Sequence, residues 1–329
     1  MDEVVKNIVD KYWKKISKKR NVIGYSGKLQ PKIIAHKVFP SRKSFRIYVI
    51  RKEKVKDLRP RDLVPGILRI GQDYYETDII EIGLPKALSN KDRRRPICGG
   101  ISTMHYGFED DTACTLNGFF KDNQTGTILQ ASNNHCFSRE NKASIGDPVI
   151  QPGPYDHGTE KDVTGKLYKY VEIKFSTFSC PIRNFLVKTY RALFGINPKN
   201  KVDIAFATVE VPYEIIATYI GKYNGKRYNI SEGELVKKTG RTTEYTEGEL
   251  FDTHWNGYVM YKRGRAFFTD CYYVKGQGFC AGGDSGSPVF DKMNKYIGAL
   301  FAGSDFGAVV CKLKNIEEEA DVTLLTSED

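Results

Sequence analysis

The sequence predicts a mainly β chain in which an antiparallel barrel or sandwich follows an N-terminal helix and a small α/β unit. Three observations lead to this fold class: helical spacing at the start, two strand-like runs before residue 90, and many short apolar runs after residue 97. The chain has 329 residues, of which 40% are hydrophobic, so it can bury one large core or two smaller ones. The length suits a double barrel.

The first element is an amphipathic helix, to which we assign residues 1–22. Apolar side chains recur at three- and four-residue spacing over residues 2–19. Acidic residues stand in its first turn and lysines in its last, which matches the helix dipole. We expect the helix to pack on the protein itself, with contact between its Lys-rich face and a membrane surface as the alternative.

Residues 23–96 predict a small basic α/β domain and a linker. Its two strand signals are "SFRIYVI" (44–50) and "TDIIEIG" (77–83), and the linker "SNKDRRRPICGG" is expected to be exposed. Residues 1–66 hold 19 Lys and Arg against 6 Asp and Glu, whereas the whole chain has a net charge of +11. A nucleic acid or a membrane surface would fit this asymmetry, but we favour a plain solubility role.

Residues 97–329 form the predicted β domain. Short runs separated by Gly, Asn, Asp and Pro indicate its strands: "GTILQAS", "DPVIQ", "LYKYVEIKF", "DIAFATVEV", "GYVMYK", "FFTDCYYV", "SPVF" and "YIGALFAG". Residues 180–198 differ from this pattern of short strands, because their apolar side chains have helical spacing. Gly195 and Pro198 are the expected stop signals of this helix. We expect an inserted helix there, a candidate lid over the cleft.

The seven cysteines are scattered without the short paired spacing of zinc sites, so we expect no metal and no cofactor. No signal peptide and no run of roughly 20 apolar residues is visible, which favours a cytoplasmic protein. Free thiols are then the default, except in hyperthermophiles, in which internal disulfides occur. Cys114 and Cys136 are the first candidate pair.

Three separate motifs supply the residue types of nucleophilic catalysis. A serine hydroxyl attacks a carbonyl usefully only if a base accepts its proton and a third group orients that base. Ser285 stands in "GFCAGGDSGSPVF", His135 follows an apolar run in "LQASNNHCFS", and Asp203 heads the run "KVDIAFATV". Taken alone, a histidine after a strand is more often structural, and an aspartate before a strand is usually a turn or cap residue.

The glycines beside Ser285 strengthen the motif. Gly282 and Gly283 can adopt backbone angles closed to other residues, so the amides of Gly283 and Ser285 can converge into an oxyanion hole. Asp284 would then turn inward and need a cationic partner. The alternative is a glycine-rich turn with an incidental serine.

Together, "NNHCF", "VDIAFA" and "GGDSGSPV" resemble the three signatures of trypsin-like (chymotrypsin-fold) serine proteases, in the order His, Asp, Ser. "VKKTGRTTEYTEG" resembles a segment of the bacterial members, and "IGDPVIQPGPYD" and "LFAGS" resemble a microbial group with a small N-terminal domain. The resemblance implies two six-stranded antiparallel barrels and a protein or peptide substrate. It also implies that His135 is general base and then acid, Asp203 its orienting carboxylate and Ser285 the nucleophile.

The resemblance implies supporting residues as well. Asp284 is expected to pair with Lys238 or Arg241, without an activating cleavage. The expected specificity pocket has no acidic base, Asp305 being the nearest carboxylate, which favours a small or apolar substrate side chain; its residues are Phe279, Cys280, Ala281, Ala302, Gly303 and Ser304.

One departure leaves a competing function open. Phe301 stands where trypsins have a serine that supports the catalytic aspartate. The alternative is therefore a weakly active or inactive protease fold that binds an anionic partner through its basic N-terminal region. Homo-oligomerisation is also left open.

Overall fold

The computed structural model describes residues 1–34, 37–83, 89–107, 112–178, 181–182, 184–185, 187, 189 and 198–329. The chain divides into two compact units, Met1–Ala87 and Leu88–Asp329. Their described residues contain 23 strands and a few short helices, so the mainly β prediction is confirmed. No helix in the described ranges is both long enough and apolar enough to cross a membrane.

The first unit begins with the predicted helix, which is confirmed and ends at Ile16. It consists of α1 (Glu3–Ile8), a π-helical turn (Val9–Trp13) and α2 (Lys14–Ile16). The Asp2 side chain caps the start by accepting a 3.0 Å hydrogen bond from the backbone nitrogen of Val4. The strands of the unit are β1 (Val22–Tyr25), β2 (Gln30–Ile34), β3 (Lys37–Val49), β4 (Ile67–Ile70) and β5 (Asp73–Glu81).

These strands form one sheet in which β3 lies between β1 and β5, and β2 pairs with β3. Strands β3 and β5 run parallel, and the other pairs are antiparallel. Val5, Ile8 and Ile16 of the helix are buried against Phe45 and Ile47 of the sheet. Each such buried side chain contributes about 1.5–3 kcal/mol, so the helix belongs to the core of its own unit.

The second unit contains 18 of the strands in the described residues, together with α3 (Asn134–Phe137) and α4 (Leu313–Ala320). Its strands are β6 (Ile97–Gly99), β7 (Ser102–His105), β8 (Cys114–Thr115), β9 (Gly118–Asp122), β10 (Ile128–Ser132), β11 (Pro148–Ile150), β12 (Val163–Tyr170), β13 (Phe175–Phe178), β14 (Ala205–Thr208), β15 (Tyr213–Ala217), β16 (Gly221–Lys222), β17 (Leu235–Gly240), β18 (Glu244–Met260), β19 (Gly264–Lys275), β20 (Pro288–Asp291), β21 (Tyr296–Ser304), β22 (Gly307–Lys312) and β23 (Val322–Leu324).

Two large sheets account for most of these strands. The first has eight strands in the order β23-β9-β10-β14-β12-β11-β7-β8, and a small sheet pairs β16, β15 and β6. The second has the order β13-β19-β18-β17-β20-β21-β22, and an additional pairing of β19 with β22 closes six of its strands into an antiparallel barrel. One predicted six-stranded barrel is thus present as such, whereas the other half is an eight-stranded sheet ending in β8 and β23.

The two large sheets share an aromatic core. Phe120 and Phe206 of the first sheet belong to the same buried cluster as Phe268, Phe290 and Tyr296 of the second. The rings of Phe120 and Tyr296 meet edge to face with centroids 6.4 Å apart. This packing fixes the two sheets relative to each other, and the segments of the candidate site extend from their strand ends.

The segment Arg93–Arg95 is predicted to be exposed, and Arg93 is exposed, whereas Arg94 and Arg95 are half-buried. Arg93 Nε nevertheless donates to Asp162 Oδ1 at 2.8 Å, and Arg95 Nη1 donates to Gln151 Oε1 at 2.6 Å. Of the helix predicted over 180–198, the described positions 181, 182, 184, 185, 187 and 189 are helical. The remaining positions from Cys180 to residue 197 lie outside the described residues. The prediction that this helix forms a lid over the cleft also lies outside them.

Candidate active site

The topology of the first sheet brings His135 and Asp203 together. Strands β10 and β14 are antiparallel neighbours with Ser132 opposite Ala205. The residues that follow β10 and those that precede β14 therefore meet at the same end of these two strands. His135 lies in the one-turn helix α3 and Asp203 just before β14. Asp203 Oδ2 lies 2.7 Å from His135 Nδ1, and Oδ1 accepts a 3.3 Å hydrogen bond from the His135 backbone nitrogen.

Asp203 is fully buried, and several groups hold it there. The Tyr261 hydroxyl donates to Oδ2 at 2.8 Å, and Asn133 Nδ2 donates to the Asp203 backbone carbonyl at 2.7 Å. A buried carboxylate without such donors would be strongly destabilising. The carboxylate is therefore held in one orientation, facing the imidazole ring of His135.

The charge of Asp203 raises the pKa of His135. Burial alone would lower the pKa of His135, but the charge and hydrogen bond of Asp203 outweigh burial and raise that pKa above its ordinary value. Glu140 adds to the increase. A ring with a raised proton affinity that keeps one nitrogen toward the cleft has the properties of a general base.

Ser285 lies in the loop between β19 and β20 and is half-buried. It lines the same cleft as His135. Within the described residues, no hydrogen bond links its hydroxyl to the imidazole ring. Such bonds are often long in unliganded enzymes and tighten when substrate binds. The structure thus joins His135 to Asp203 directly and to Ser285 through a common cleft.

The backbone around Ser285 leaves two amides unused. Gly283 has a φ of +98°, and a Cβ there would lie 2.5 Å from Thr242 Oγ1, so only glycine fits. The N–H groups of Asp284 and Gly286 donate to backbone carbonyls. In the hydrogen-bond network of the described residues, those of Gly283 and Ser285 donate to no protein acceptor. These two amides can stabilise an oxyanion in the cleft.

Thr115 binds two backbone carbonyls of the loop that contains Ser285. Its backbone nitrogen donates to the Ser285 carbonyl at 2.7 Å, and its hydroxyl donates to the Gly283 carbonyl at 2.9 Å. Thr115 thus holds the peptide groups 283–284 and 285–286, which alternate along the chain with those that carry the Gly283 and Ser285 N–H groups.

A disulfide ties the Thr115 strand to the histidine helix. Cys114 and Cys136 are bonded, with their sulfurs 2.02 Å apart. The free-thiol expectation is therefore wrong for these two, while the candidate pair itself is formed. The fold places their Cα atoms 6.1 Å apart, within the range that a disulfide spans. Of the remaining cysteines in the described ranges, Cys98, Cys271 and Cys311 are buried thiols and Cys280 is half-buried.

Lys238, not Arg241, is the cationic partner of Asp284. Both side chains are fully buried, with Lys238 Nζ 3.3 Å from Asp284 Oδ2, and Thr243 Oγ1 donates to the same oxygen at 2.6 Å. Arg241 instead binds Asp156 through Nε at 2.7 Å. Burial lowers the pKa of Lys238, and the charge of Asp284 partly restores it. The ion pair anchors the loop on which Ser285 stands.

The cleft has a volume of about 660 Å³ and a largely apolar wall beside Ser285. Of the six expected pocket residues, three line it: Ala302, Gly303 and Ser304. The other three, Phe279, Cys280 and Ala281, do not, because the Phe279 side chain points into the core of the closed barrel. Sequence reasoning missed the lining residues Tyr273, Phe301, Gly307 and Val309. Among the described lining residues, Glu140 is the only carboxylate.

Comparison with known proteins gives matches in structure only. No family model and no curated protein sequence matches this chain. Thermobifida fusca protease A is 16% identical, with 70% of this chain and 99% of that chain covered and a TM-score of 0.45. Nocardiopsis protease is also 16% identical, with 70% of this chain and 99% of that chain covered and a TM-score of 0.44. Cellulomonas bogoriensis chymotrypsin is 16% identical, with 70% of this chain and 98% of that chain covered and a TM-score of 0.45.

The chain is thus similar in structure to bacterial chymotrypsin-like serine proteases. Because the identities are below 25% and the TM-scores below 0.5, the roles of individual residues rest on this chain's own geometry. In that geometry Tyr261, Thr115 and Asn133 support the site, and sequence reasoning identified none of them. Tyr261 stands at the end of the run "GYVMYK", where it has the pattern of an ordinary strand residue.

Proposed function

We propose that this chain is a serine endopeptidase that hydrolyses peptide bonds through an acyl-enzyme. One observation carries the proposal: the buried carboxylate of Asp203 binds Nδ1 of His135 on a cleft that also contains Ser285. The two unused amides beside Ser285 add the group that a tetrahedral intermediate needs.

In the proposed mechanism, Nε2 of His135 accepts the Ser285 hydroxyl proton as Oγ bonds to the substrate carbonyl carbon. The developing oxyanion accepts hydrogen bonds from the Gly283 and Ser285 amides. His135 then donates its proton to the leaving amine, the C–N bond breaks, and the acyl-enzyme remains. A water molecule, deprotonated by His135, then attacks the ester carbonyl carbon. The C–Oγ bond breaks, His135 returns the proton to Ser285 Oγ, and the acid is released. Asp203 keeps Nδ1 protonated and stabilises the imidazolium.

We infer that the substrate is a protein or peptide with a small or apolar side chain before the scissile bond. Ala302, Gly303 and Val309 form an uncharged wall beside Ser285. The Glu140 carboxylate, which also lines the cleft, already accepts from the backbone nitrogens of Lys262 and Arg263. It is therefore poorly placed to select a basic side chain.

Labelling with a fluorophosphonate probe tests the proposal directly. The probe should label wild type but not Ser285→Ala, and Ser285→Ala should lose peptide hydrolysis by several orders of magnitude. Ser287→Ala is the matched control, because Ser287 is in the same motif but is fully buried and donates to the Asp284 carbonyl at 2.6 Å. Equal labelling of wild type and Ser285→Ala would contradict the proposal.

A binding module is the second candidate, favoured by the excess positive charge of residues 1–66. It predicts no turnover of a broad peptide library and salt-dependent binding to nucleic acid or anionic vesicles. The absence of salt-sensitive binding would remove this candidate.

A further inference from the structure

Tyr261 contacts both members of the His135–Asp203 pair. Its hydroxyl donates to Asp203 Oδ2 at 2.8 Å, and this is the same oxygen that lies 2.7 Å from His135 Nδ1. Its ring meets the His135 ring edge to face, with centroids 5.8 Å apart. One side chain therefore sets the position of the carboxylate and borders the imidazole.

The hydroxyl is held as a donor. Burial and the charge of Asp203 raise the pKa of Tyr261 well above its ordinary value, so the phenol keeps its proton. Phe301, which is 2% exposed and packs on Phe268 at a centroid distance of 4.6 Å, has no polar atom to offer the carboxylate. The side-chain donors that reach the Asp203 carboxylate in the described structure are thus Tyr261 and His135.

Glu140 anchors the turn that carries Tyr261. Its two carboxylate oxygens accept from the backbone nitrogens of Lys262 at 3.0 Å and Arg263 at 2.9 Å. Arg263 Nη1 also donates to the Glu140 carbonyl at 2.7 Å. Glu140 follows His135 by five positions, so the turn between β18 and β19 is tied to the segment of the histidine.

We propose that Tyr261 is a positioning residue of the active site, which holds the Asp203 carboxylate toward His135 through its hydroxyl, on a turn secured by Glu140. This inference rests on the proposed function, because it assigns a role within the same site. Tyr261 also lines the cleft, but its hydroxyl is engaged with Asp203, so loss of the hydroxyl alone should reduce kcat more than it changes KM.

The surroundings of the pair add few other titratable groups. Cys311 Sγ accepts from the Asp203 backbone nitrogen at 3.2 Å, and Cys271 lies close to Tyr261. Burial raises the pKa of both thiols, so they stay neutral while His135 titrates. Glu140 adds to the raised pKa of His135, and the cationic side chains of Arg139, Lys142 and Lys262 line the same cleft.

Tyr261→Phe removes the hydroxyl and keeps the ring. The lost donor leaves the negative charge of Asp203 less dispersed, so it attracts the imidazolium more strongly and the pKa of His135 rises. We expect kcat to fall about tenfold with little change in KM, and the acidic limb of the kcat/KM profile to move to higher pH.

Tyr272→Phe is the matched control. Tyr272 is a buried tyrosine of β19 whose hydroxyl donates to the Tyr228 carbonyl at 3.1 Å, and it does not line the cleft. Each variant loses one tyrosine hydrogen bond, and Tyr261→Phe should lower the Tm more than Tyr272→Phe, because it leaves a buried carboxylate one donor short. Only Tyr261→Phe should change kcat and the acidic limb. Unchanged kcat and an unchanged limb in an active Tyr261→Phe enzyme would overturn the inference.

An NMR titration separates this inference from the proposed function. The imidazole signals of His135 can be followed against pH in Ser285→Ala and in Ser285→Ala/Tyr261→Phe, where no turnover is required. A higher His135 pKa in the double variant supports the link between Tyr261 and Asp203 even if the protein hydrolyses nothing. An identical His135 pKa in the two overturns it, whatever the outcome of the labelling experiment.

Discussion

Asp203 holds His135 at two points: Oδ2 lies 2.7 Å from Nδ1 of the ring, and Oδ1 accepts from the backbone nitrogen at 3.3 Å. The first contact fixes the tautomer and the second fixes the start of the short helix that carries the ring. Orientation and proton affinity of the histidine therefore have the same origin, and both should respond to changes at Asp203.

The pH profile should reflect this pair. His135 must be neutral to act as a base, and its pKa is raised above 6.5, so kcat/KM should decline as the pH falls through a midpoint above 6.5. The same raised pKa stabilises the folded state at low pH, and this contribution is lost as the pH rises through the folded-state pKa. Asp203→Asn should lower that pKa and reduce kcat by about 10⁴. A wild-type midpoint below 6.5 would contradict this assignment.

The oxyanion amides can be tested with two neighbouring glycines. Gly283→Ala forces a Cβ to within 2.5 Å of Thr242 Oγ1 at a φ of +98°, so the peptide must rotate and displace its N–H. We expect kcat to fall by about 10²–10³, the usual effect of losing one such donor. Gly282→Ala is the control, because no atom lies within 4 Å of a Cβ there. Equal kinetics of the two variants would argue against this oxyanion hole.

The buried ion pair below the loop should be essential for both stability and activity. Lys238→Met leaves Asp284 buried without its cation, which should cost about 3–5 kcal/mol of unfolding free energy. Activity should fall as well, because the loop of Ser285 loses its anchor. Lys237→Met is the control, since Lys237 is the preceding residue and its ammonium donates, among the described residues, to the exposed carbonyl of Lys292 at 3.2 Å. Denaturant unfolding and kinetics on both variants decide the matter.

The fold was predictable where hydrophobic periodicity is strong. The N-terminal helix and the eight short runs of the β domain all correspond to observed elements. The length of β18 (Glu244–Met260) was not predicted, because most of its side chains are exposed or half-buried and form no apolar pattern. An exposed hairpin is held by its backbone ladder, which leaves little signal in the sequence.

The site was predictable where local chemistry is concentrated in a motif. His135, Asp203 and Ser285 stand in short distinctive segments, whereas Tyr261 lies 58 positions from Asp203 and Thr115 lies 168 positions from Gly283. Their roles depend on which strands become neighbours, and single residues do not encode that. Phe279 was misplaced for a related reason, since its segment turns the side chain into the barrel core.

The disulfide should stabilise the site as well as the fold. Cys114→Ala/Cys136→Ala removes a bond across 22 positions, which should cost about 3 kcal/mol and lower the Tm. It also releases the Thr115 strand from the histidine helix, so activity should fall. A thiol reductant that unfolds or inactivates wild type should have no further effect on the double variant. An unchanged Tm would show that the bond contributes nothing.

Substrate preference should follow the uncharged wall of the cleft. Peptides with a small or apolar residue before the scissile bond should be cleaved with a kcat/KM at least about tenfold above that of Lys or Arg peptides, since none of the described lining residues other than Glu140 carries a carboxylate. Ser304→Asp introduces a carboxylate into this wall and should raise the relative rate for Lys and Arg peptides. Asp305→Asn, a change at an exposed neighbour outside the lining, is the control. A wild-type preference for Lys or Arg would mean that a group other than these wall residues selects the substrate.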